Sequence, residues 1–345
     1  MTTAYSVLGL YLALVHPTAC FPGPTKKPSA QKSSPRDKSK SATPPARSGH
    51  NLVFDPVRKM VLLVNGDQKK GLREIWGWNG RRWSVVDRKA PRCRSLGGVA
   101  FDAKRKVLVL YGGSEGDPLR YPSGVTEYDG KKWRTLKADE PGPRDHMAMV
   151  YDADLGKCVV FGGQREDAKT FLNDTWLWDG KTWEQVTGPG PEARVHHAMA
   201  YDAKRKRVVL FGGFRPGAQP LTDVWEFDGR SWSRSRVPGP SARSSARMAY
   251  HAGTKKTVLF GGGDTSSSTM YEDTWLWDGQ QWQRADVKQS PPARCVHALG
   301  ADPVRDRVIL FGGYSENNFD DTWEWDGTVW RQMSMPPAAS TTLRR

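Results

Sequence analysis

Beyond residue 46, apolar residues come in short runs broken by Gly-Gly and Asx-Gly dipeptides, a pattern of many short strands and tight turns rather than long helices. The runs repeat. Tryptophans at Trp83, Trp133, Trp183, Trp232, Trp282 and Trp330 recur at intervals of 48–50 residues, and a period near 50 signals propeller blades. Each interval carries the same signals in order: an arginine, an aromatic or apolar residue before Asp, an apolar run ending in glycine, an aromatic pair, Asx-Gly and the closing Trp. The fourth repeat shows all of them at Arg194, Tyr201-Asp202, Val208 to Gly213, Trp225 and Phe227, Asp228-Gly229 and Trp232.

Each repeat therefore predicts four antiparallel strands, lettered A to D outward from a common axis. Strand A follows the arginine, and strand B is the continuous apolar run expected of a strand buried on both faces. Strand C carries the aromatic pair, and strand D holds the closing Trp. Asn79-Gly80, Asp129-Gly130, Asp179-Gly180, Asp228-Gly229, Asp278-Gly279 and Asp326-Gly327 link C to D, where Asx-Gly is expected to supply the positive φ angles of a two-residue hairpin. Gly112-Gly113, Gly162-Gly163, Gly212-Gly213, Gly261-Gly262 and Gly312-Gly313 end strand B, allowing close backbone approach. The first repeat has Asn65-Gly66 there, and the second has Thr126 in place of the first aromatic of strand C, so these two blades are expected to be looser. The reading is an all-β fold, a six-bladed β-propeller of four-stranded antiparallel blades over residues 47–333. Because the repeats start with A and end with D, no blade is expected to borrow a strand, and ring closure is expected to rest on packing alone unless the linker or the tail after Met333 adds a strand.

These signals resemble the kelch family of propellers, whose consensus also opens a blade with arginine and follows an apolar strand with a glycine pair and an aromatic pair. The resemblance runs from Arg47 to about Met333. It implies a kelch propeller without fixing its function, because that fold hosts scaffolds, receptors and a few enzymes.

Arg47, Arg94, Arg144, Arg194, Arg243 and Arg294 each stand eight residues before the end of strand A and so form a ring near the axis, on the face of the B–C loops. In some kelch propellers arginines at this phase grip an acidic peptide, and guanidinium geometry suits bidentate carboxylate binding. These six are the candidate ligand-binding residues. The competing structural role has each arginine tie one blade to the next through Asp174, Asp223, Asp273 or Asp321. His50, His197 and His297 share a phase but come from non-consecutive blades without a recurring acidic or thiolate partner, which fits satisfied strand histidines better than metal ligands. The closing tryptophans are read as core, each able to bury about 150–250 Å².

The opposite face carries basic A–B turns, including Lys104-Arg105-Lys106, Lys204 to Arg207 and Lys255-Lys256, which are either solvated or a dock for an acidic surface. The net charge of +15 favours anionic partners in general, but no nucleic-acid motif accompanies it, so nucleic acid is not favoured. Cys20, Cys93, Cys158 and Cys295 are too few and scattered for a disulfide framework, and Cys158, inside an apolar strand, fills core.

The apolar run from Ala4 to Val15 is too short to span a bilayer and resembles an export segment within residues 1–20, although no Lys or Arg precedes it. Residues 21–46 form a basic, proline- and serine-rich linker, and 334–345 a C-terminal tail. The expected location is secreted or cell envelope, with the cytoplasm as the alternative. The sequence thus predicts a monomeric, cofactor-free, non-catalytic binding module that presents the arginine-lined face and its variable loops to a protein or glycan partner, possibly acidic. A carbohydrate-active envelope enzyme is the alternative, because the fold also occurs in sialic-acid mutarotases and, less fittingly for these residues, galactose-oxidase-like copper enzymes. A binder of anionic surfaces through the basic face is the third reading.

Overall fold

Each repeat closes on itself as a sheet before it meets its neighbours. In the third, strand A (Ala148–Asp152), B (Lys157–Phe161), C (Thr175–Trp178) and D (Trp183–Val186) pair antiparallel in sequence order. All six sheets keep that order, and none takes a strand from another part of the chain. The computed structural model describes residues 43–334 except 67–72, 92–93, 117–118, 139–140, 168, 216, 218–219 and 265. The predicted export segment, most of the linker, the tail, Cys20 and Cys93 therefore lie outside the described residues, among which there is no helix. Blade 5 adds a small hairpin, Gly263–Asp264 with Thr269–Met270, within its B–C loop.

The core sits between blades. Six apolar clusters occur, one at each junction, including the junction of blade 6 with blade 1. Strand B feeds two of them, because successive side chains point to opposite faces. Cys158 and Val160 pack toward blade 2, whereas Val159 and Phe161 pack toward blade 4. That division explains why strand B reads as an unbroken apolar run.

Backbone hydrogen bonds then lace the junctions. Two residues after each blade arginine stand Gly49, Leu96, His146, His196, Ser245 and Val296, all with positive φ. The N–H of each donates to the carbonyl of its counterpart in the preceding blade at 2.8–3.1 Å, and Gly49 closes the circle on Val296. The result is a hydrogen-bonded ring around the axis. A left-handed backbone costs a non-glycine residue roughly 1–2 kcal/mol, so five of the six positions bear strain that the ring holds in place. A second belt lies beside it: Gly66, Gly113, Gly163, Gly213, Gly262 and Gly313 donate to the carbonyls of Arg94, Arg144, Arg194, Arg243, Arg294 and Arg47 at 2.8–3.0 Å. Glycine is needed here for space as well as for angle, since a Cβ on Gly163 would collide with the Asp145 carbonyl.

Closure of the ring by packing alone is thereby corrected. Between blades 6 and 1, the two backbone bonds are joined by His50 Nε2 with the Phe311 carbonyl at 2.9 Å, Trp83 Nε1 to Thr322 Oγ1 at 2.9 Å and Trp78 Nε1 to Glu324 Oε1 at 2.7 Å. The C–D link also differs from expectation. Strand pairing ends at Trp178 with Trp183, and only Gly180 in that link has positive φ. Asp179 acts through its side chain instead, accepting the N–H groups of Lys181 and Thr182 at 2.7 and 2.8 Å.

Candidate functional site

Five of the six candidate arginines, in blades 1 and 3 to 6, are essentially inaccessible, and Arg94 is buried at 5% exposure. In blades 3 to 6 the guanidinium is chelated by the aspartate that immediately precedes strand C. Arg144 holds both oxygens of Asp174 at 2.6 and 2.9 Å, and Arg194 holds those of Asp223 at 2.7 and 2.9 Å. Arg243 pairs with Asp273, and Arg294 with Asp321, in the same bidentate way. Each Nη1 also donates to the glycine carbonyl that ends strand B, and each aspartate accepts the indole N–H two residues on.

The carboxylate belongs to the arginine's own blade, which corrects the expectation of a side-chain bridge to the next one. The side chain staples strand A to the start of strand C, and the arginine's main-chain carbonyl makes the link between blades. Loop aromatics roof two of these clamps, with Tyr271 stacked 3.9 Å from the Arg243 guanidinium and Phe319 at 3.9 Å from that of Arg294. For Asp223 and Asp273, burial opposes ionisation, but the arginine and indole donors outweigh it and hold both below the usual carboxylate range.

The first two blades vary the arrangement. Arg47 donates to the carbonyls of Pro45 and Asn65. Arg94 reaches Thr126 Oγ1 at 3.0 Å and makes no ion pair among the described residues, because Gly124 stands where blades 3 to 6 have aspartate. Burial lowers its pKa, with Glu115 offsetting part of the effect. Thr126 thus takes over for both the missing aspartate and the missing indole.

Of the three phased histidines, His50 lies in strand A, whereas His197 and His297 stand one residue before it. His50, His197 and His297 stand edge-on to Phe311, Phe161 and Phe260 of the preceding blade. Burial, then nearby arginines, push His50 and His197 down to about 3, so both are neutral. Among the described residues, no group of three His, Cys, Asp or Glu is placed to hold a metal. Cys158 and Cys295 are buried, and Cys158 packs in the core.

What the sequence reasoning missed lies at the axial mouth on the B–C loop face. His146 Nδ1 meets Asp145 Oδ1 at 2.6 Å, the His146 and His196 rings touch edge-to-face at 4.4 Å, and Ser245 Oγ lies 3.1 Å from His196 Nδ1. Tyr121 joins them from the second blade's loop, its phenol pushed up by burial and by Asp145. The B–C loops of the second to sixth blades also carry half-buried aromatics: Tyr121, Phe171, Phe214, Tyr271, Tyr314 and Phe319. Their signal was available, since Phe214 and Tyr314 directly follow glycine pairs.

The opposite face is less free than its sequence suggests. Arg105 bonds Asp102 at 2.6 Å and Glu127 at 2.7 Å, and Arg205 bonds Asp202 and Glu226 at 2.8 and 2.5 Å. Both guanidinium groups lie against the C–D glycine of the following blade, Gly180 and Gly279. The lysines of these turns, among them Lys104, Lys106, Lys204 and Lys255, are exposed.

With this geometry in hand, comparison with known proteins becomes specific. The family model of the KLHDC2/KLHL20/DRC7 Kelch-repeats domain matches residues 181–342, which takes in blades 4 to 6. The chain is a six-bladed propeller that carries kelch repeats. Among solved structures, one described as "Structure of YjhT" superposes with a TM-score of 0.67 at 13% identity, covering 85% of this chain and 99% of that one, which is a likeness of fold. A search of curated proteins finds no match to the sequence. The blade arginines of this chain are buried within the frame, those of blades 3 to 6 in ion pairs.

Proposed function

We propose that this kelch propeller is a binding module that works outside the cytoplasm and holds a protein or glycan partner on its B–C loop face. The observation that carries this is the recurrence of half-buried aromatics on the B–C loops of blades 2 to 6, those of blades 3 to 6 having roots pinned by buried ion pairs. Aromatic side chains in partly buried positions supply contact area at low entropic cost, and rigid roots reduce the ordering needed on binding. Exposed Arg120 and Arg165 on the same loops suit acidic groups on the partner. Kelch propellers commonly bind proteins, which agrees with this reading.

The test is selection of ligands for the full chain from glycan arrays and peptide display, followed by binding to F171A/F214A and Y271A variants. Binding should fall at least tenfold with melting temperature held within a few degrees. No selected ligand, or ligands indifferent to both variants, would sink the proposal.

The Asp145–His146 pair favours a second reading, a carbohydrate-active enzyme of the mutarotase type, because a carboxylate-oriented imidazole is a general acid–base group. Its test is the rate of anomeric exchange of sialic acid followed by NMR, with H146Q as control. An unaccelerated rate excludes it.

A further inference from the structure

Strand A opens, four residues after each blade arginine, with Asn51, Gly98, Ala148, Ala198, Arg247 and Ala298. Five of these are small or short. Arg247 is the exception, and it lines an axial cavity of about 280 Å³ that lies inside the backbone ring. By the ~30 Å³ that a water occupies in the liquid, the space is several waters large.

The Arg247 guanidinium makes no ion pair among the described residues, and its recorded bond is from Nη1 to the neighbouring Ala246 carbonyl at 3.1 Å. Burial pushes its pKa down to about 10 without removing the charge at neutral pH. The imidazoles nearest to it in charge terms, His50, His196, His197 and His297, are held neutral by burial, so they neither balance the cation nor add to it. A single positive charge thus faces the cavity with no internal counter-ion, a state that an incoming anion relieves.

The remaining lining selects which anion. The lining is mixed: His50, Asn51, His146, His196 and His197 are polar, Val150, Ala200 and Ala249 are apolar, and half-buried Tyr151, Tyr201 and Tyr250 carry the cavity toward the A–B turns. One guanidinium with both apolar and polar surface around it fits a monoanion with a short hydrocarbon body better than a divalent oxyanion. The exposed lysines of those turns, Lys104, Lys204 and Lys255, surround that end with positive potential that draws anions in. We propose that the axial cavity binds a short-chain carboxylate, with the Arg247 guanidinium as its anchor. The cavity meets the loop-face mouth at His146 and His196, which line both, and its anchor Arg247 is not among the loop residues offered to the partner there.

Calorimetric titration of the full chain with sodium butyrate, butyramide and sodium sulfate tests the assignment. Butyrate should bind, butyramide should bind at least tenfold more weakly, and sulfate should not compete. R247A should lower butyrate affinity at least tenfold. It installs the residue that three other blades carry at this position, so its melting curve should match the wild type. R247K, which keeps the charge, should retain part of the affinity and guards against a folding artefact. No butyrate binding by the wild type, equal binding of butyramide or sulfate, or unchanged binding by R247A would each overturn the proposal.

Discussion

The two rims of the propeller are both built on buried arginine–carboxylate pairs, yet they repeat at different periods. On the loop rim, the Arg144–Asp174 clamp recurs in each blade from the third to the sixth. On the turn rim, Glu127 accepts from Arg105, Arg134 and from Trp178 of the next blade, and the set returns only two blades later, at Glu226 with Arg205 and Trp277. Glu324 with Trp78 is its third instance, across the seam. Blades 1, 3 and 5 have Gly77, Leu177 and Leu276 at the glutamate's position. A bond within a blade needs only one copied solution. A side-chain bond between blades needs a donor on one and an acceptor on the other, and alternation assigns those roles, giving the ring a pseudo-threefold character.

Acid is the largest lever on this difference, because the neutral histidines lie on the axial side. His50 and His197 take up a proton near 6.5 when unfolded but only near 3 when folded. The unfolded chain therefore binds more protons between those values, so their stabilisation is complete above about pH 6.5 and is lost as pH falls toward 3. At about 1.4 kcal/mol per unit, each contributes up to roughly 4–5 kcal/mol. Urea midpoints at pH 7.5, 5.5 and 4 should fall steadily; a flat profile would mean that the imidazoles charge freely in the folded protein.

Next in size is the loop-rim clamp. D223A leaves the Arg194 guanidinium buried without its carboxylate and should cost about 3–5 kcal/mol in chemical denaturation. R94M in blade 2 should cost clearly less, since Arg94 makes no ion pair among the described residues. Equal costs would show that the aspartate is not what the clamp depends on. On the turn rim, E127Q keeps the shape but weakens three donors' partner, an expected loss of about 1–3 kcal/mol. A double-mutant cycle with W178F should show coupling above about 0.5 kcal/mol, the sign of a bond between blades. Smallest of all, K104Q with K204Q should stay within about 0.5 kcal/mol, because these lysines are solvated.

Blade number and strand order were legible because six copies agree in phase, and phase fixes how far a residue lies from the axis and along it. Phase alone does not say whether a side chain meets its own sheet or a flanking one. That is why Asp174 and its counterparts were correctly paired with the arginines yet assigned across a junction instead of within the blade. The Glu127, Leu177, Glu226, Leu276 and Glu324 series was in the sequence too, but at twice the blade period, where a search for single-blade signals passes over it. Arg247 is a different case: one arginine among alanines means nothing until the space that its side chain enters is known.

Since no strand is shared among the described residues, the seam between the last blade and the first is a junction like the others but without a D–A connection. A gene rearranged to start at Arg144 and to join 334 back to 47 through a loop as long as residues 187–197 should yield the same toroid. Chain order would then be a matter of bookkeeping, and the two ends could be moved to whichever blade an experimenter wishes to tether.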